Sequence, residues 1–130
     1  MLMVDSSVWI DYFTGRESLE VDYLDTILGI KPVVMGDIIL TEVLQGFRVD
    51  KEYKIAKQLL TAIPIFQLSN KILAIKSAEN YRTLRKRGIT VRKTIDTIIA
   101  TYCIEQNIPL LFSDRDFLPF VEFLGLKPAV

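Results

Sequence analysis

Asp5, Glu42, Asp96, Asp114 and Asp116 are the side chains of this sequence best placed to do chemistry. Asp5 ends the apolar run Leu2-Met3-Val4, and Asp114 and Asp116 follow Leu110-Leu111-Phe112. Glu42 and Asp96 interrupt the apolar stretches Ile-Leu-Thr-Glu-Val-Leu and Thr-Ile-Asp-Thr-Ile-Ile-Ala, where an unpaired acid is costly to bury. Taken singly, each has an ordinary structural use as a helix cap, a first-turn anion, a solvated helix residue or a turn residue. Taken together they describe a carboxylate cluster, and a hard divalent cation is the usual way to stabilise one. The sequence contains no histidine. That excludes Ser-His-Asp and Cys-His arrangements, the usual histidine general base and nearly all catalytic zinc sites. Ser6 and Ser7 read as cap residues, with no base beside them to make a nucleophile.

The elements that must position these acids follow from periodicity. Short continuous apolar runs at 2–4, 32–35, 65–68 and 109–112 predict buried strands. Between them, 3.6-residue patterning predicts helices over 8–13, 19–28, 38–47 and 50–62, then from a Ser69 cap to about Arg87, and over 94–106. Ile55, Leu59 and Ile63 share one face of the fourth helix; Ile95, Ile98, Ile99, Tyr102 and Cys103 point inward from the sixth. A short helical segment is expected over 113–124 and a last strand over 126–130. Strands alternating with helices imply an α/β domain with a mainly parallel sheet, and no linker or repeat divides residues 1–130. In such a sheet ligands bind at the carboxyl ends of the strands, where Asp5, Asp114 and Asp116 fall.

Charge is balanced at 16 basic against 16 acidic residues, so a nucleic-acid partner must be argued from local clustering. Arg82, Arg85, Lys86, Arg87, Arg92 and Lys93 provide such a cluster just before Asp96. Taken alone, they are better explained as a solvated helix end; beside an acidic site they become a phosphate-gripping rim. Trp9, Tyr12 and Phe13 read as core or interface residues. A single cysteine, Cys103, fits a reducing cytoplasm. No apolar run reaches the ~18 residues of a membrane span, and an acid at position 5 is not the pattern of a secretory leader.

Four segments carry a resemblance. Met-Val-Asp-Ser-Ser-Val-Trp-Ile-Asp-Tyr-Phe at 3–13, Leu-Thr-Glu-Val-Leu-Gln-Gly at 40–46, Thr-Ile-Asp-Thr-Ile-Ile-Ala at 94–100 and Leu-Phe-Ser-Asp-Arg-Asp-Phe at 111–117 resemble, in order and separation, the motifs of PIN-domain ribonuclease toxins of the VapC type. The resemblance implies a PIN-like three-layer α/β/α domain over residues 1–130 and a homodimeric endoribonuclease dependent on Mg²⁺ or Mn²⁺. It also implies a small antitoxin partner encoded beside it. Asp5, Glu42, Asp96 and Asp114 match the acidic quartet, with Asp5 and Asp96 as direct ligands and Glu42 and Asp114 completing the shell or orienting water. Asp116 competes with Asp114 for the fourth place, or acts through water or a second ion. Ser6 or Ser7 matches the hydroxyl that accompanies the first Asp. Like-charge repulsion in such a quartet lifts at least one pKa in the metal-free state.

Two other readings compete. A phosphoacceptor receiver-like domain has a similar length, an early post-strand acid and a late Lys-Pro, here Lys127-Pro128, but Asp50 follows Gly-Phe-Arg-Val, a poor strand. A non-catalytic α/β interaction module would use the acids only as caps.

Overall fold

A computed structural model describes residues 1–130. Four strands, β1 (Leu2–Val4), β2 (Val33–Gly36), β3 (Ile65–Phe66) and β4 (Leu110–Leu111), form one sheet in the order β3-β2-β1-β4, parallel throughout. The helices are α1 (Ser6–Thr14), α2 (Leu19–Ile27), α3 (Asp37–Gln45), α4 (Asp50–Thr61), α5 (Lys71–Lys86), α6 (Thr94–Gln106) and α7 (Leu118–Leu124), with a 3-10 turn at Arg115–Phe117. The crossovers β1 to β2 and β2 to β3 step one way along the sheet and the return from β3 to β4 steps the other. Right-handed crossovers therefore place α1–α4 on one face and α5–α6 on the opposite face. Neighbours in the chain agree: α1 packs on α2 and α3, and α5 packs on α6. The direction of winding switches between β1 and β4, which opens a crevice at their carboxyl ends.

β1 and β2 are buried along their whole length, as strands covered by helices on both faces must be. The core joins Met3, Trp9, Leu24, Met35, Ile39, Leu60, Leu84, Ile99, Phe117 and Phe120, all essentially inaccessible. Trp9 is thus a core residue, with Phe13 stacked at 6.1 Å and Tyr12 edge-on at 6.0 Å. Gly36 lies where β2 turns into α3, and a Cβ there would collide with the Leu68 side chain. Absence of a side chain lets the two segments approach, and the Leu68 N–H then donates to Asp37 Oδ1 at 3.1 Å. This corner fixes the start of α3 and so the direction in which Glu42 projects.

Several sequence expectations shift. Asn70, not Ser69, caps α5, its side chain accepting from Leu73 N. α3 begins at Asp37 rather than after it. α4 turns Ala56 and Leu60 inward and leaves Ile55 58% and Leu59 45% exposed. Those two residues do not supply its buried face. Ile95 is likewise exposed at the start of α6, whereas Ile99 and Cys103 are buried. The expected last strand is a single parallel bridge, Leu110 to Pro128, made by Leu110 N–H donating to Lys127 O and Ala129 N–H donating to Leu110 O, each at 2.9 Å.

Candidate active site

Asp5 follows β1 directly. Its backbone N–H still belongs to the sheet, donating to Leu111 O at 2.8 Å, while its side chain caps α1 by accepting from Ser7 N at 3.1 Å. Ser7 Oγ donates to the same carboxylate oxygen, Oδ2, at 2.6 Å, and also accepts from Ser113 N at 3.4 Å, tying the end of β1 to the end of β4. The other oxygen, Asp5 Oδ1, is buried with no hydrogen-bond partner. Asp96, in the first turn of α6, is 4% exposed, and its Oδ2 is buried without a partner in the same way. Glu42 comes from α3, half-buried, with Ser6 Oγ donating to Oε1 at 3.1 Å. Asp114 caps the 3-10 turn by accepting from Asp116 N at 2.9 Å.

These four acids line one cleft of about 350 Å³ together with Ser6, Ser7, Ile10, Gln45 and Lys93. The sequence quartet therefore converges in space, from four separate elements, at the crevice between β1 and β4. Asp116 does not line that cleft. One carboxylate oxygen from each of Asp96, Asp114 and Asp116 nonetheless lies within 4.8 Å of the others, so Asp96 and Asp114 are shared between the cleft and an outer group. Asp116 is engaged by Arg92, whose Nη2 contacts both its oxygens at 3.0 and 3.1 Å. The two acids of the last motif thus differ: Asp114 lines the cleft, and Asp116 lies outside it with both oxygens on the single Nη2 of Arg92.

The basic residues divide. Lys93 lines the cleft and sits 3.7 Å from Asp114 Oδ2. Arg82 and Arg85 line a separate groove between α5 and α6, with Arg85 over the Tyr81 ring, and Arg87 lies over Phe123. Lys86 is exposed in the last turn of α5. Sequence reasoning assigned no role to Gln45 and Ile10, and placed Lys93 only on an outer rim. Lys93 directly precedes the first turn that carries Asp96, which is the signal that could have placed it inside.

Electrostatics mark the cleft as strained. Burial raises the Asp5 carboxyl, partly offset by its bonds to Ser7 and Ser6. Burial and then the Asp5 charge raise Glu42. Asp96 is pushed up to about 7 by burial, with Asp5 the next cause. Two buried, unpartnered carboxylate oxygens beside further acids lack a positive charge that the protein itself does not fully provide. All donors are hard oxygens, and the residues fit a hard divalent cation. Of three larger concavities, those of about 540 and 500 Å³ are lined more by apolar or small side chains and hold no comparable acid group, while one of about 450 Å³, lined by Asp11, Glu17 and Asp114, adjoins the cleft through Ser7, Ile10 and Asp114.

Comparison with known proteins places the chain in a family. The model of the PIN domain matches residues 2–120. Over 131 aligned residues the chain is 26% identical to the VapC ribonuclease Mb1587 of Mycobacterium bovis and to ribonuclease VapC11 of Mycobacterium tuberculosis, covering 99% of this chain and 98% of each relative. Among solved structures it is similar to VapBC2 from Rickettsia felis, bound to a promoter DNA fragment, with a TM-score of 0.77 at 16% identity, covering 98% and 96% of the two chains. VapBC-1 from nontypeable Haemophilus influenzae gives 0.72 at 19% identity, with the same coverage.

Proposed function

Since the chain belongs to the PIN-domain family, we propose that it is a metal-dependent endoribonuclease, the toxin of a toxin–antitoxin pair, with Asp5, Glu42, Asp96 and Asp114 as its working carboxylates. The observation that carries this reading is the convergence of those four acids in one cleft, two of them with a buried, unpartnered oxygen. A receiver-like domain would need an acceptor acid after a central strand in mid-chain, and Asp50 instead opens α4. Acids that served only as caps would not gather.

Asp5 and Asp96 would hold a divalent cation, Mg²⁺ or Mn²⁺, through their free oxygens, with Glu42 and Asp114 completing the shell. A bound cation there supplies charge neutralisation at the scissile phosphate and lowers the pKa of nearby water. The chain's residues prepare that site in specific ways. Ser7 pins Asp5 Oδ2 and leaves Oδ1 buried without a partner. Ser6 orients Glu42 across the gap from α1 to α3. Asp96, near 7, holds or gives up a proton at its carboxyl around neutral pH. Asp116 stays at the rim through Arg92. Arg82, Arg85, Lys86 and Arg87 supply positive charge toward the end of α5 for the RNA backbone. The test is incubation of purified protein with RNA: cleavage on adding Mg²⁺ or Mn²⁺ and its arrest by EDTA support the assignment, and equal cleavage in EDTA overturns it.

Exposed apolar surface offers two places where the proposed partners could dock. The groove of Ile10, Phe13, Val43, Phe47 and Val49 between α1, α3 and the start of α4 ends at Ile10, which also borders the acidic cleft. An antitoxin segment seated there would lie against the active site, and the structures the chain resembles include a toxin–antitoxin complex from Klebsiella pneumoniae. On the opposite face, Ile72 and Ile75 are 71% and 55% exposed one turn apart on α5, with Ile95 also exposed. We assign this surface to the homodimer. Ile72→Asp combined with Ile75→Asp is expected to convert a dimer to a monomer in light scattering, while changes on α4 leave the dimer intact. No helix is long and apolar enough to cross a membrane, and the lone cysteine, Cys103, is a free thiol, as a reducing cytoplasm would keep it.

A further inference from the structure

Lys93 is the only cation lining the acidic cleft. Its backbone is fixed, because it is the cap residue of α6 and its carbonyl accepts from Asp96 N at 3.2 Å. Its side chain is not fixed. It is 58% exposed, and its one short ionic contact is the 3.7 Å approach to Asp114 Oδ2. The negative charges acting on it come from Asp96 first, then Asp114, Glu42 and Asp116. Arg92, the preceding residue, has its Nη2 engaged by both oxygens of Asp116 and does not line the cleft. A flexible ammonium on a four-carbon stem is thus tethered at the mouth of a carboxylate cluster, free to lean in or withdraw to water.

We propose that Lys93 is a resident counter-ion of the cleft: it neutralises the carboxylates when no divalent cation is bound, must withdraw for one to bind, and thereby sets the cation affinity of the site. The inference rests on the reading of the cleft as a cation site and adds a competitor built into the chain. A unit charge within about 5 Å of a divalent ion opposes it by enough, even in a water-like dielectric, to weaken binding about tenfold. The tether makes the effect local. Lys93 also holds together, without metal, acids that would otherwise repel one another.

The test is calorimetric titration of the whole protein with MgCl₂ at pH 8.5, above the value of about 7 to which Asp96 is pushed, so that protons compete little. Lys93→Gln and Lys93→Met are expected to bind Mg²⁺ about tenfold more tightly than the natural protein. Lys93→Arg, which keeps the charge, and Lys57→Gln, which removes an exposed charge on α4, are expected within twofold of it. Because Lys93 is exposed, neither neutral variant disturbs the core, and circular dichroism verifies the fold. Unchanged or weaker Mg²⁺ binding in both neutral variants overturns the counter-ion role while leaving the cation site standing. Equal tightening by Lys57→Gln overturns it too, as an effect of net charge alone. Absence of Mg²⁺ binding in the natural protein and all variants overturns both the role and the cation site.

Discussion

Asp5→Asn and Asp96→Asn are each expected to lower RNA cleavage about a thousandfold or more, a loss of ~4 kcal/mol in transition-state stabilisation, with the fold intact. Each substitution keeps the side-chain shape and removes a negative charge from a buried oxygen that has no protein partner. At position 5 the helix survives, since Asn caps as well as Asp and can still accept from Ser7 N. Loss of cleavage would then report chemistry rather than unfolding. Glu42→Gln is expected to cost less, because Glu42 is only half-buried and remains bonded to Ser6. Initial rates on one labelled RNA, with circular dichroism on each variant, provide the measurement. More than a tenth of the natural rate in either Asp variant would remove that residue from the working set.

In metal-free protein, Asp96→Asn is expected to raise the melting temperature at pH 8 and to leave it nearly unchanged at pH 4. The sign follows from proton linkage. Asp96 titrates near 4 when unfolded and at about 7 when folded. Between those values the folded state binds more protons, so stability falls as pH rises through the window and is lowest above 7. Asp5 and Glu42 are raised as well and contribute with the same sign, so the variant keeps a shallower slope. Removing the Asp96 charge should recover roughly 1–3 kcal/mol at pH 8, discounted from a three-unit shift because the acids are coupled. That corresponds to several degrees for a chain of this size. Mg²⁺ should restore stability to the natural protein more than to the variant, about 2.7 kcal/mol at a hundredfold excess over Kd. A residue acting only as a first-turn anion gives the opposite sign, since its removal weakens a favourable dipole interaction. Melting of both proteins in EDTA across pH 4–8 decides between them.

Most of the frame was legible because its signals are local. Leu2-Met3-Val4 before Asp-Ser-Ser marks a buried strand entering a capped helix, and the structure builds both. The acids of the cleft were legible because each breaks an apolar run or follows a strand, and the winding switch between β1 and β4 brings them together. What escaped was relational. Whether Asp114 or Asp116 turns inward depends on Arg92, more than twenty residues away in sequence, which holds Asp116 at the rim. Lys93 reads as one more member of a basic run until the fold brings it to the cleft beside Asp114, from a separate element. α4 has apolar residues on two stripes, and periodicity alone chose Ile55 and Leu59. Ala56 and Leu60 are the buried ones instead, and the other stripe remains available at the surface.

On the proposed function, the four convergent carboxylates direct water, not the RNA's own 2′-hydroxyl, at the phosphate. The most direct measurement is the chemistry of the ends left on RNA fragments made by purified protein in Mg²⁺. The expected result is 5′-phosphate and 3′-hydroxyl termini in Mg²⁺, with no fragments in EDTA or from Asp96→Asn. Fragments ending in 2′,3′-cyclic phosphate, or formed equally well in EDTA, would contradict it.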